Sequence, residues 1–327
     1  MHDTYILDSK LHISEEGLKH GSRLLTKNNL LLLVRGSMLW NTIPICLNKN
    51  DVAFNQDVKG IIANDTINNE FLLYWLKSKE QRLKYMVTGT GLGAGKLDTS
   101  DLLSMIIYIP AMKEQDKVAR LLSLIDERIA TQSKIIEDLK KLKSAISKKL
   151  LCNDKWTTCI IQDIAEIGRG RVISSVEIDR QKHPLYPVYS SQTSNNGIMG
   201  YLDNYMFDGE YITRTTDGAN AGTVFYRKGK FNCTNVCGTL KILPKFDCYF
   251  VSLVLQQATQ KYVSSNLANP KLMNNTMASI KIRMPNIETQ KQLSKVFQTL
   301  DSCLLVHQRT CKMYLSEKQY LLRQMFI

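Results

Sequence analysis

The chain has 327 residues, with 43 Lys plus Arg against 30 Asp plus Glu and a formal net charge of +13. Apolar residues make up 44% and charged residues 22%, a globular composition that excludes a disordered or collagen-like chain. The length accommodates two domains of roughly 150 residues each. The longest apolar run, 30–34, falls far short of the ~18 residues of a membrane span.

The start, Met1-His2-Asp3-Thr4-Tyr5, lacks a basic segment followed by an apolar stretch, so no secretory signal is read there and a cytoplasmic location is expected. Residues 1–112 read as a mixed domain. Within it, 69–87 has helical spacing, with Phe71, Leu72, Trp75 and Leu76 on one apolar face. The run from Gly89 to Lys96 looks like a phosphate loop. However, Thr90 stands where a Walker loop needs Gly, and Leu97 replaces the magnesium-binding hydroxyl. It reads as a surface loop.

A long helix is expected over 113–150. Steps of four and three from Val118 land on Leu122, Ile125, Ile129, Gln132, Ile136, Leu139, Lys143, Ile146 and Leu150, the heptad spacing of a coiled-coil seam. At 1.5 Å per residue it would extend about 57 Å, and one apolar stripe of that length needs a partner. Residues 151–286 read as a second β-rich domain, with strands near 186–189, 209–214, 222–227 and 239–243 and a helix over 249–265. A second long helix follows over 287–327.

The two halves answer each other at a shift of 175 residues: Lys96 falls on Lys271, Pro110 on Pro285, Gln115 on Gln290 and Asp126 on Asp301. The same shift carries the first seam onto Leu293, Phe297, Leu300, Leu304, His307, Cys311, Tyr314, Lys318, Leu321 and Met325. The expected fold is therefore α+β: two β-rich domains joined and spaced by two long helices, paired as an antiparallel coiled coil in a pseudo-twofold tandem repeat. The seam residues are Leu122, Ile125, Ile129, Gln132, Ile136, Leu139, Phe297, Leu300, Leu304, His307 and Leu321. In that arrangement residues whose numbers sum to about 439 face one another, so Gln132 meets His307.

Catalytic chemistry is harder to find. The eight Cys, at 46, 152, 159, 233, 237, 248, 303 and 311, match no zinc spacing and read as free thiols in a reducing compartment. The five His never pair at metal-ligand spacing, and no nucleotide, base-flipping or nucleophile motif occurs. No cofactor is called for. What remains is a cluster of side chains suited to base edges and phosphates: Arg169, Arg171, Lys182, Tyr189, Ser190, Ser191, Gln192 and Asn195, then Arg214, Thr216, Asp217 and Asn220, with Lys271 and, in the first half, Arg35 and Lys96. Arg214 is expected to read a base edge, so that Arg214→Ala would lose about 1–3 kcal/mol of discrimination at one base pair. Residues 1–112 are nearly neutral at net +1, while 113–150, 151–286 and 287–327 carry +4, +5 and +3.

Three stretches carry a resemblance. Tyr186-Pro-Val-Tyr189-Ser-Ser-Gln192, Gly197-Ile-Met-Gly-Tyr201 and the run from Tyr211 to Tyr226 resemble the target recognition domain of type I restriction–modification specificity subunits. The twin joints Ile107-Tyr-Ile-Pro110 and Ile282-Arg-Met-Pro285, each leading to Gln115 or Gln290, are similar to that family's entry into its long helices. The resemblance implies a DNA-binding specificity subunit without catalysis of its own. Two recognition domains would read the halves of a bipartite double-stranded DNA site across a helical spacer. Two modification (methyltransferase) subunits acting on adenine, and ATP-driven restriction subunits, would be its partners, with no membrane involved. One departure is expected. The counterpart of Asp154 would fall about 21 residues before Met1, so the first domain lacks counterparts of Trp156, Ile164 and Gly168-Arg-Gly-Arg171. The alternative is therefore an assembly scaffold with one DNA-reading domain intact.

Overall fold

The computed structural model describes residues 4–9, 11–91, 93–151, 154–264 and 269–326. Residues 1–3, 10, 92, 152–153, 265–268 and 327 lie outside them, and with them Cys152, the end of the 249–265 helix expected from the sequence and the last residue of the second long helix's expected range. The architecture is α+β, and the packing divides the chain into two compact units: Met1–Glu137 with Leu305–Ile327, and Asp138–Leu304.

Each unit is built on the same three antiparallel strands. In the first, Leu30–Leu33 lies between Ile45–Asn48 and Val58–Ile61; in the second, Glu210–Thr215 lies between Val224–Lys228 and Cys237–Ile242. The fourth strand differs. Tyr5–Ile6 joins the first sheet beside Ile45–Asn48, running parallel, whereas Ala165–Arg169 joins the second beside Cys237–Ile242, running antiparallel. The two additions sit on opposite edges of the shared three strands. One face of each sheet is closed by an amphipathic helix, Asn69–Ser78 or Cys248–Ala258, and the cores lie between sheet and helix.

The long helices run Met112–Leu150 and Ile287–Met325 without a break. In the first unit they are antiparallel, since Lys318 donates to Asp126 while His307 Nδ1 lies 2.7 Å from Gln132 Oε1. In the second unit Lys143 bonds Asp301 at the position the repeat dictates. Leu122 and Phe297, expected on the seam, are fully buried in the cores of their units as well. Each helix is fastened at its first turn by a buried glutamine. Gln115 accepts the Asn68 N–H (2.8 Å) and donates to Pro110 O (3.0 Å); Gln290 accepts the Asp247 N–H (3.0 Å) and donates to Pro285 O (2.8 Å). Asn68 and Asp247 are themselves the N-caps of the sheet-covering helices, so one side chain locks three elements together.

A half-buried polar pair in a largely apolar seam fixes register at some cost in stability. Replacing both Gln132 and His307 by Leu is expected to raise the melting temperature, through a gain of about 1 kcal/mol, and to admit neighbouring registers. Disulfide crosslinking along the seam reads this; a single register in the double variant would contradict it.

Two local expectations change. The 69–87 helix breaks at Lys79 into Asn69–Ser78 and Glu80–Tyr85, because Lys79 leaves the helical backbone region (φ −93°, ψ 12°); Leu83 of the second piece is buried in the core. The helix expected over 249–265 stops at Ala258. There the Thr259 hydroxyl turns to Gly222 O (2.7 Å), and Ser264 pairs with Lys271 instead. The surface loop expected at Gly89–Lys96 is flanked by the antiparallel strands Val87–Gly89 and Gly95–Leu97, with Gly91 and Gly93 in the left-handed region and Leu92 outside the described residues.

Candidate nucleic-acid interface

In the second unit the strands Tyr186–Tyr189 and Ile198–Leu202 form an antiparallel pair. The connection between them carries Ser190, Ser191, Gln192, Asn195 and Asn196. Asn195 and Asn196 both sit in the left-handed region, at φ 48° and 54°, which Asn tolerates better than most residues. The loop is closed by Ser190 N–H to Gly197 O (3.0 Å) and by the Gln192 amide donating to Ile198 O.

Arg227 holds this loop from beneath. Its guanidinium lies 3.6 Å over the Tyr189 ring centroid and 4.5 Å over that of Phe225. It donates through Nε to Thr213 Oγ1 (3.0 Å) and through Nη2 to Asn196 O (2.8 Å). Burial pulls this guanidinium below the usual arginine range. Neither Arg227 nor Thr213 is among the candidates that the sequence pattern marks. The only signal was an Arg behind two aromatic residues in a strand, and that does not say which face the Arg takes.

The second loop requires a correction. Arg214 is completely buried, 0% exposed, so it reaches no base edge. It donates to Leu272 O and to Asn274 Oδ1 and braces the strand Glu210–Thr215 against the segment after Lys271. Gly238 makes the room, since a Cβ there would stand 3.0 Å from the Arg214 guanidinium carbon. Burial, with the nearby charge of Arg169, pushes Arg214 down to about 10. Thr216 is buried too and spends its hydroxyl on Val236 O (2.9 Å) and Asp217. Tyr189, capped by Arg227, offers no open ring face on that side.

The remaining candidates sort by what is left free. Thr215 Oγ1 donates to Ser191 O (3.3 Å) and ties the two loops into one surface. Asn195, Asn196, Asn220 and Arg169 are exposed. Asp217 and Lys271 face each other across an antiparallel bridge with an ion pair of 3.7 Å. Arg171 is exposed but forms a bidentate pair with Glu177, and its strand-like neighbour Gly170 passes so close to Cys233 O that no Cβ fits. Lys182 stands apart, its N–H donating to Asp203 (3.2 Å).

In the first unit Arg35 and Lys96 are register partners on paired strands, Arg35–Gly36 and Gly95–Leu97. Lys96 bonds Asp98 at 3.1 Å and Arg35 approaches Asp57 at 4.0 Å, so both charges are partly balanced. The Lys96 ammonium holds the exposed Asp98 carboxyl below the usual range. Among the described residues no cluster of three His, Cys, Asp or Glu could hold a metal ion, and no helix is long and apolar enough to cross a membrane.

The family model for the type I restriction modification DNA specificity domain matches residues 6–141 and again 153–312. A Mycoplasma pneumoniae protein described as type I specificity subunit S.MpnORF201P is 38% identical over 193 residues, covering 58% of this chain and 80% of the relative. The type I restriction enzyme MpnII specificity subunit of the same organism is 41% identical over 145 residues, covering 44% of this chain and 43% of that protein. The crystal structure of a type I restriction–modification system S subunit from M. genitalium shares the fold, with a TM-score of 0.74 at 19% identity over 100% of this chain and 89% of that one. With the specificity domain matched once in each half, the chain belongs to the type I restriction–modification DNA specificity family.

Proposed function

We propose that this chain is the non-catalytic DNA reader of a type I restriction–modification complex. Residues 1–112 and 151–286 act as the two target recognition domains, and 113–150 and 287–327 as the spacer that sets the unspecified stretch between two half-sites. Modification subunits, two in number, place adenine methylation at the site it selects, and ATP-driven restriction subunits act from it. The observation that carries this reading is the joined surface of the second unit. Exposed Asn195, Asn196, Asn220 and Arg169 stand on a base braced by buried Arg214 and Arg227. Amide side chains on a rigid support are what adenine edges require, and the peripheral arginine suits a phosphate.

Gel shifts at several salt concentrations, with the modification subunit present, test it. A specific reader keeps its sequence preference as salt rises, whereas a merely basic surface loses all affinity together. Asn195→Gly keeps the left-handed backbone and removes only the amide. It is expected to lose about 1–3 kcal/mol of discrimination at one base pair with no change in melting temperature. Equal weakening on every sequence would make Asn195 a phosphate contact and count against the assignment.

A further inference from the structure

Two thiols of the second unit lie side by side. Cys233 ends the strand Asn232–Cys233 and Cys237 opens Cys237–Ile242. The turn between them is closed by Cys237 N–H to Thr234 O (3.0 Å). The sulfurs stand 3.5 Å apart, share one S–H hydrogen bond and belong to residues only 0% and 2% exposed. Phe231, Tyr189, Phe207 and Tyr211 pack around them. Among its described residues the first unit has no such pair: Cys46 Sγ bonds Leu31 O, and Cys311 Sγ lies beside Ser133 Oγ.

The turn 234–236 carries both loops of the joined surface. Cys233 is the register partner of Tyr189, where the first loop begins, and Cys237 of Thr215, where the second begins. Thr234 N–H donates to Tyr189 O (2.9 Å), while Val236 O accepts both the N–H (3.1 Å) and the hydroxyl (2.9 Å) of Thr216. The pair releases its first proton at Cys237. That thiolate accepts the Cys233 S–H, and the charges of Arg227 and Arg214 help to hold it below the usual thiol range against the effect of burial. The same hydrogen bond pushes Cys233 up. A readily ionised thiol touching a second one is the pairing of a nucleophile with its resolving partner.

We propose that Cys233 and Cys237 form a dithiol modification site, closed to a disulfide by a hydroperoxide and reopened by a dithiol reductant, and that closure switches off DNA reading by the second unit alone. The Cys237 thiolate attacks a peroxide oxygen: the S–O bond forms, the O–O bond breaks, and the leaving hydroxide takes up a proton to become water. The Cys233 sulfur then attacks the sulfenic sulfur. The S–S bond forms, the S–O bond breaks, and the Cys233 proton leaves with the departing hydroxide as a second water. Two electrons pass from the thiols to one peroxide, and the reductant returns them by becoming a disulfide itself. Peroxide reaches the sulfurs by local opening of the turn, where Asn235 is exposed and Val236 half-buried. Closure draws the sulfurs together by about 1.5 Å, to the ~2.05 Å of a disulfide, and moves the turn groups that hold Tyr189 and Thr216. The regulatory consequence rests on the DNA-reading role proposed above; the bond itself does not.

The test treats the full chain with hydrogen peroxide, removes the peroxide and divides the sample. Peptide mass mapping should show a Cys233–Cys237 link that forms at least about tenfold faster than oxidation of Cys248, a thiol that burial pushes up to about 12. The Thr216 and Thr234 amides should exchange at least about threefold faster once the link has closed. With the modification subunit added, the oxidised chain should lose about tenfold of its preference at one part of the DNA site and keep it at the other, and dithiothreitol should restore it. Cys233→Ala and Cys237→Ala should each keep the preference through the same treatment. No link, or Cys237 ending as a sulfinic acid, overturns the site. A complete link that leaves either exchange or preference unchanged overturns the switch. A reduced chain with no sequence preference sinks the DNA-reading role instead, and the mass and exchange measurements then decide the dithiol site by themselves.

Discussion

Asp126→Ala is expected to cost the first unit about 3 kcal/mol, and the repeat-related Asp301→Ala only about 1 kcal/mol in the second. The two aspartates make the same contacts. Asp126 accepts from Tyr74 Oη (3.0 Å) and Lys318, and Asp301 accepts from Tyr249 Oη (2.6 Å) and Lys143. Their settings differ. The Lys318 and Asp126 side chains are 13% and 11% exposed, those of Lys143 and Asp301 25% and 41%. Removing the carboxylate from the drier site leaves a charged ammonium without its counter-charge, and the Tyr74 phenol with Tyr5 Oη at 3.2 Å, with little water to replace what is lost. At the wetter site solvent fills in. Tyr74 adds a pH signature. Burial first, then the Asp126 charge, raises its phenol above the ordinary value of 10.0. The unfolded chain then releases that proton first as pH rises, so the first unit loses stability above about pH 10. Urea unfolding followed by exchange at amides of each unit separates the two costs. Equal losses would contradict the dependence on burial.

Arg214→Ala should destabilise the second unit by about 3 kcal/mol, combining lost charge-assisted hydrogen bonds with an unfilled cavity. Arg214→Lys should recover little, because a single ammonium cannot reach both Leu272 O and Asn274 Oδ1 as the guanidinium does. Gly238→Ala should move in the same direction by displacing that guanidinium. The measurement is denaturant unfolding of each variant beside DNA discrimination. A variant of normal stability that fails at one base pair would restore Arg214 to the DNA surface.

The repeat was legible in the sequence because it is carried by spacing. Gln115 with Gln290, Asp126 with Asp301, and the polar Gln132–His307 contact all stand where a shift of 175 residues puts them, and in the structure they make matching or mutual bonds. Heptad periodicity survives because a helix imposes it locally. The division of labour among the polar loop residues was not legible. Whether Arg214 faces bases or the core depends on Gly238, 24 positions later, being its register partner. Nothing in the run Ile212-Thr213-Arg214-Thr215 encodes that. Arg227 was missed for the same reason, since its partner Tyr189 lies on a different sheet and Asn196 in the loop that follows that strand. The break at Lys79 is one residue's departure from helical backbone angles, too local for periodicity to register.

Mapping methylated adenines in the genome of a host that carries this gene together with its modification partner tests the central claim most directly. A DNA reader with two recognition domains on a fixed spacer predicts a motif in two specified parts separated by an unspecified stretch of constant length, with one part relaxed in Asn195→Gly and the spacing unchanged. A single uninterrupted motif, or one indifferent to every exposed residue of the joined surface, would contradict it.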